Sequence, residues 1–350
     1  MTDFPRTQAR RSAPKDTAIE SLRGLAVVLM VAGHVIGSGA NRGMQVADDS
    51  VWRLFYLGLA DIRMPLFTVL SGLVYGLRPI TRRGDYSGLV RGKIRRLIVP
   101  LLTVGALLVV LQMAVPAANS ERAPSEAWKV WVYGEEHLWF LEAVFLIFLT
   151  VAALDYFAVL STRYGWAACT ACALLAFVVV RLPDSLDFFS INGYIRLLPF
   201  FLIGYGMQRF GLFTVTRWKA VAAVGLFAAV YALRLTTILG SWELPELVQR
   251  VASLAVGVLG VTLIYSARRV IEQRPLAWLG AFSFGIYLLH VFGAAATRIA
   301  LGQAGVQQDV IIFVVCLGAG VGLPVIFQKI FGAWNPVRVL VLGEKPLRDQ

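Results

Sequence analysis

Arg23 and His34 bring a fixed cation and a titratable base into a run that is otherwise almost entirely apolar, Glu20 to His34. Eleven residues separate them. At about 100° per residue that is three turns plus roughly 20°, so both side chains fall on one helical face. The same spacing sets them about 16 Å apart along the axis, half of a bilayer core. A guanidinium suits phosphate oxygens, and an imidazole takes up and returns a proton near neutral pH. Ionisable groups inside an apolar span are costly and mark function by default. The alternative is an arginine snorkelling at the helix base and a histidine at the interface. Glu20 lies three residues before Arg23, where an ion pair would lower the cost of both charges. It is too far down the helix to orient His34 directly.

The surrounding chain has to be a membrane scaffold. Of 350 residues, 58% are hydrophobic and 15% charged, and the mean hydropathy is +0.69; soluble globular chains are nearer half apolar and a quarter charged. This predicts an all-α integral membrane protein. About ten apolar spans are expected, near 19–37, 55–77, 97–115, 137–155, 165–182, 194–210, 218–236, 250–267, 277–300 and 309–331, each close to the roughly 20 residues needed to cross. The flanks read as a basic tail over residues 1–17, a transmembrane domain over 18–334 and a second tail over 335–350. No cleavable signal peptide is expected ahead of the first span.

The formal net charge of +12 does not point to nucleic acid, because the basic residues gather in alternate loops. That bias places both termini in the cytoplasm. Residues 81–96 read either as an interfacial amphipathic stretch or as an ordinary positive-inside loop. Cys169 and Cys172 form a CxxC inside an apolar span without other ligand types nearby, which fits small packing residues rather than a metal or redox site. No metal is expected. The chain's three histidines, His34, His137 and His290, all fall near outer span ends in this topology, which suggests a polar pocket opening outward.

Five stretches together resemble the membrane-bound acyltransferase family 3. Arg23 and His34 match its arginine–ten residues–histidine signature. Met64 to Gly72 is similar to its Phe-Phe-x-x-Ser-Gly motif, with Thr68 for the second phenylalanine. Lys93 to Pro100 is similar to the basic run entering the third span, and His137 to Leu141 to a Leu-Trp-Phe-Leu run. Ser283 to His290 matches a Ser-Tyr-x-x-Tyr-Leu-x-His run, with Phe284 for the first tyrosine. The resemblance implies a multi-pass protein of a bacterial inner (plasma) membrane. It would move an acyl group, most simply acetyl, from cytoplasmic acyl-CoA (acetyl-CoA) to a hydroxyl of an extracytoplasmic or lipid-linked saccharide, as in exopolysaccharide O-acetylation.

Under that resemblance His34 is the general base, with Arg23 and Glu20 in support. Arg23, Lys93, Arg95 and Arg96 would meet the donor's phosphates, and the pantetheine arm would thread between helices toward His34. Ser71 belongs to the donor-side motif; it reads as an acyl-serine or, with Gly72, as a small packing pair. Arg63, Glu142 and Arg196, at or near outer span ends, would form the acceptor site, or Arg63 and Arg196 would bind the oxyanion; the alternative is a structural pair such as Glu142–Arg196. His137, Trp139, Tyr287 and His290 complete the expected acceptor side, although Tyr287 and the tryptophans also suit an interfacial aromatic belt. A transporter or flippase for a lipid-linked sugar is the competing reading; it would suit ten spans with intramembrane charges, but no half-to-half symmetry supports it.

Overall fold

The computed structural model describes residues 16–80, 85–115, 124–134, 136–211 and 217–347. Most of the N-terminal tail, together with Arg82, Arg83, Arg122 and Arg348, lies outside them. Among the described residues the chain forms fourteen α-helices and no strand. Nine helices are long and apolar enough to cross a membrane. A tenth, α7 (Arg163–Val179), is apolar with 17 residues, about 25 Å of rise. The ten expected spans therefore all appear as helices, the fifth just short of full length.

Helix α1 (Thr17–Ile36) is the hub. Asp16 caps it by accepting from the Ala18 N–H at 2.9 Å. Ala18, Leu22, Ala26, Val27 and Val31 are fully buried, so apolar residues face neighbours almost all round. Those neighbours are α2 (Val51–Gly76), α11 (Arg268–Ile271), α12 (Arg274–Ala281), α13 (Ser283–Gln303) and α14 (Asp309–Phe331). Between α1 and α12 the backbones touch: a Cβ on Gly24 would overlap the Leu276 carbonyl, and one on Gly280 the Glu20 carbonyl. The Ser21 hydroxyl fastens this contact, donating to Gln273 O at 3.0 Å and accepting from Gln273 N at 3.1 Å.

A second close pair joins α2 to α8 (Ile191–Phe210). Gly72 lies against the Phe201 carbonyl and Gly204 against that of Val69, so each helix supplies a glycine for the other's backbone. Helix α6 (Trp139–Tyr156) packs on α8. At one end of these helices Asp155 accepts from Tyr75 at 2.7 Å and Tyr205 at 3.0 Å, tying α2, α6 and α8 together. Helices α9 (Arg217–Ile238) and α10 (Glu246–Ser266) pair at the periphery, and the spanning window of α9 has no buried residue.

Two expectations need correction. From residue 85 the basic stretch 81–96 is helical and not a loop. Helix α3 (Asp85–Lys93) runs through a π-helical turn (Ile94–Ile98) into α4 (Val99–Ala114). The extra residue per turn of a π segment rotates Arg95 and Arg96 relative to a regular helix. The ninth span does not begin at 277, because α12 ends at Ala281 and α13 starts anew at Ser283. Within the second tail, the π turn (Val337–Val341) packs on α4, and Leu342 O accepts from Arg96 at 3.1 Å.

The α1–α12 contact predicts a steric asymmetry between glycines. Gly24→Val lowers the thermal midpoint in detergent, by an overpacking cost of about 1–3 kcal/mol. Gly318→Ala, with nothing within 4 Å of its Cβ position, leaves the midpoint unchanged or raises it. Scanning calorimetry of both variants checks this; equal midpoints would contradict the contact.

Candidate active site

The three histidines of the chain meet at one end of the bundle. His34 sits in the last turn of α1, His137 in the turn before α6, and His290 in the second turn of α13. Ring centroids are 4.8 Å apart for His34–His290, 5.1 Å for His137–His290 and 6.3 Å for His34–His137. His137 and His290 are buried; His34 is half-buried.

Backbone carbonyls set the tautomers. His34 Nδ1 lies 3.0 Å from Met30 O, and His290 Nδ1 lies 2.8 Å from Tyr287 O. His137 uses the other nitrogen, Nε2, on Leu288 O at 3.2 Å. A carbonyl only accepts, so each of these nitrogens carries a proton and each ring keeps one lone pair. The lone pairs of His137 Nδ1 and His290 Nε2 are buried without a partner. Tyr287 supports the group by donating its hydroxyl to His137 O. His34 Nε2 is the lone pair on the least enclosed ring.

A folded-back loop covers this end. Gly37 and Gly43 adopt φ of +90° and +54°, and Met44 N donates to Val35 O at 2.8 Å. Arg53, nearly fully buried, holds the loop through the carbonyls of Gly37 and Val46 and the Asp48 carboxylate. Arg42 pairs with Glu136, the residue before His137.

Arg63 enters from α2. It was expected near an outer span end, but it stands in the middle of the 26-residue helix. Its guanidinium lies where a Cβ on Gly33 would be, beside His34. It also donates to Tyr56 O at 3.3 Å and lies 4.3 Å from the Tyr56 ring centroid. Gly33 is thus the gap that admits a cation to the base's own helix. Arg63 and Glu136 both act electrostatically on His34.

Glu142, on α6, is fully buried. It accepts from Ser190 at 2.7 Å and lies near Tyr287; its other oxygen has no partner. The expected alternative of a Glu142–Arg196 pair does not form. Arg196 instead lines a different cavity, with Asp61 and Arg234. Trp139 packs its ring on Gly193 of α8, joining α6 to α8 beside the histidines.

The opposite end of α1 is basic. Arg23 pairs with Glu20 at 3.0 Å, as its spacing predicted. Arg23 and Arg95 lie close enough to Arg96 to repel it. Arg96 is steadied by Glu344 at 3.4 Å and by the Phe284 ring at 4.2 Å. Lys93 Nζ sits 3.2 Å over the Phe148 ring, and Arg95 Nε is buried without a partner. Two clusters of unlike chemistry thus lie at the two ends of one helix. Ser71 donates to Phe67 O at 2.9 Å, a bond within its own helix beside the Gly72 contact.

Sequence reasoning passed over Glu136, Ser190 and Glu344, none of which stands in a recognisable spacing. It also missed Asp61, an acid inside an apolar span, which the rule for intramembrane charge would have flagged. Among the described residues no group of three or more His, Cys, Asp or Glu is arranged to hold a metal ion.

A protein-family model described as an acyltransferase domain matches residues 16–329. No curated protein and no solved structure matches the chain.

With only three histidines the tautomers are directly measurable. Nitrogen-15 NMR of histidine-labelled protein at alkaline pH will show two Nδ1–H rings and one Nε2–H ring, and His137→Gln will remove the Nε2–H pattern. Three rings of one tautomer would contradict the hydrogen bonds above.

Proposed function

We propose, from the premise that the chain belongs to this acyltransferase family, that it is a membrane acyltransferase moving an acyl group from acyl-CoA to a saccharide hydroxyl. One observation carries this: a single buried helix joins a basic cluster at one end to a histidine with a free ring nitrogen at the other. In the proposed orientation both termini are cytoplasmic, and the membrane is the inner membrane of a bacterium.

The donor's phosphates meet Arg23, Lys93, Arg95 and Arg96. Arginine forks match phosphate oxygens, and those guanidiniums already crowd one another, so an anion between them relieves repulsion. The roughly 16 Å of α1 between Arg23 and His34 suits an extended pantetheine arm. His34 Nε2 removes the proton of the acceptor hydroxyl as its oxygen attacks the thioester carbonyl. The carbonyl oxygen gains the negative charge, and Arg63, held beside His34 by the Gly33 gap, donates to it. The C–S bond then breaks, and the thiolate takes the proton from His34. The new ester and free coenzyme A thiol balance the reaction.

The acceptor lies against His137, His290, Tyr287, Trp139 and Glu142. The orphaned nitrogens of His137 and His290 accept from its other hydroxyls, and the unpaired Glu142 oxygen does the same. Buried polar atoms left without partners are costly, so a hydroxyl-rich ligand explains their retention. The group transferred is acetyl, and the saccharide is lipid-linked or polymeric. Arg196 is left out of this site because it opens on another cavity.

Thiol release by purified, reconstituted protein with acetyl-CoA and candidate acceptors tests the reading. His34→Gln will slow turnover by about 10²–10⁴, the usual worth of a general base. Arg63→Gln will cost about 10²–10³ in kcat, the worth of one oxyanion donor. Ser71→Ala will keep its rate. Wild-type turnover by His34→Gln would remove His34 from its role, and vectorial sugar movement without thiol release would favour the carrier.

A further inference from the structure

A second polar cavity, of about 410 Å³, opens among α2, α7, α8, α9 and α10, at the end of the bundle that holds His34. Its volume lies in the range of small-ligand sites. Asp61 forms part of its wall. Asp61 precedes Arg63 by two residues, so the two point roughly 200° apart around α2. The cavity and the histidines therefore lie on opposite sides of that helix.

Four arginines and four carboxylates line the cavity. Some are already matched. Asp61 is nearly fully buried, paired with Arg234 at 3.0 Å and hydrogen-bonded by Ser253 at 2.6 Å. Glu246 pairs with Arg181 at 3.4 Å. Two cations and two anions remain. Arg250 donates only to the neutral carbonyls of Phe177 and Val180, and Arg196 has no partner among the described residues. Asp187 accepts one backbone N–H, from Asn192 at 2.7 Å, and the Asp184 carboxylate has no partner among the described residues. The two cations stand on α8 and α10, and the two anions in the loop between α7 and α8.

Arg196 and Asp184 are exposed in the cavity and Arg250 and Asp187 half-buried, so all four are open to a ligand. Here the unmatched charge is of both signs and on different elements, so a simple anion would leave the carboxylates unmet. We propose that this cavity binds a phosphoethanolamine group, with its phosphate on Arg196 and Arg250 and its primary ammonium on Asp184 and Asp187. Three N–H donors on the ammonium distinguish it from a quaternary choline headgroup, which has none. Position at a bundle end beside lipid-facing α9 places phospholipid headgroups within reach. Soluble phosphoethanolamine offers the same chemistry.

The experiment is native mass spectrometry of the full-length protein, titrated separately with phosphatidylethanolamine, phosphatidylcholine, phosphatidylglycerol and O-phosphoethanolamine. The expected result is one retained phosphatidylethanolamine, weakened about tenfold by R196Q, which is one charge-assisted hydrogen bond, and also weakened by D184N. Choline and glycerol lipids will bind more weakly and will be insensitive to D184N. Capture of O-phosphoethanolamine with the same sensitivity identifies the headgroup alone as sufficient. Capture of the lipid only shows that its chains contribute. Preference for phosphatidylglycerol, or binding indifferent to both substitutions, would overturn the proposal. Unchanged thermal midpoints confirm that the variants fold, and since binding is the readout, the result stands apart from acyl transfer.

Discussion

The cost of placing charge inside an apolar bundle governs this structure. Helix α1 is enclosed by five other helices, and most of its surface is aliphatic or small. Its three ionisable residues can survive there only along one stripe, and each has a reason for its place. Glu20 and Arg23 meet each other, and Arg23 lies near Arg96 of the basic π turn. His34 meets two more histidines and a cation. Everything around α1 is arranged so that its ends stay polar while its middle stays dry.

Glycine makes that arrangement possible. Gly24 and Gly280 let α1 and α12 touch through backbone, which brings Arg23 next to the turn before α13. Gly33 performs a different task, because the space it leaves is filled by a guanidinium instead of a helix. A side chain there would collide with the Arg63 guanidinium beside His34. The Gly72–Gly204 pair plays a purely architectural part, fixing α2 against α8 and with it the height of Arg63.

The basic end is held by distant chain segments. Glu344 bridges Arg96 at 3.4 Å and Arg338 at 2.9 Å, and Gly343, with φ of +60°, seats the C-terminal turn on the backbone of Arg95 and Arg96. The π turn over Ile94–Ile98 is thereby clamped from outside. A rigid, partly neutralised cluster costs less to keep in an apolar setting than four free cations, and it still leaves Arg23, Lys93 and Arg95 without full hydrogen-bond satisfaction by the protein.

Composition and periodicity by themselves determined the membrane scaffold, the helices and the stripe shared by Glu20, Arg23 and His34, because these depend on transfer energy and on spacing within one segment. The similar depth of the three histidines also followed, since loop charge phases successive spans. Rotation of one helix against another is not written in any single segment. It depends on which small residues meet, and only the tertiary structure decided it. That rotation turned Arg63 toward Gly33, gave Glu142 to Ser190, and sent Arg196 to a separate cavity with Asp61. The tautomers of the histidines were likewise out of reach of sequence, because each is set by a carbonyl that the packed helices happen to bring to one nitrogen and not to the other.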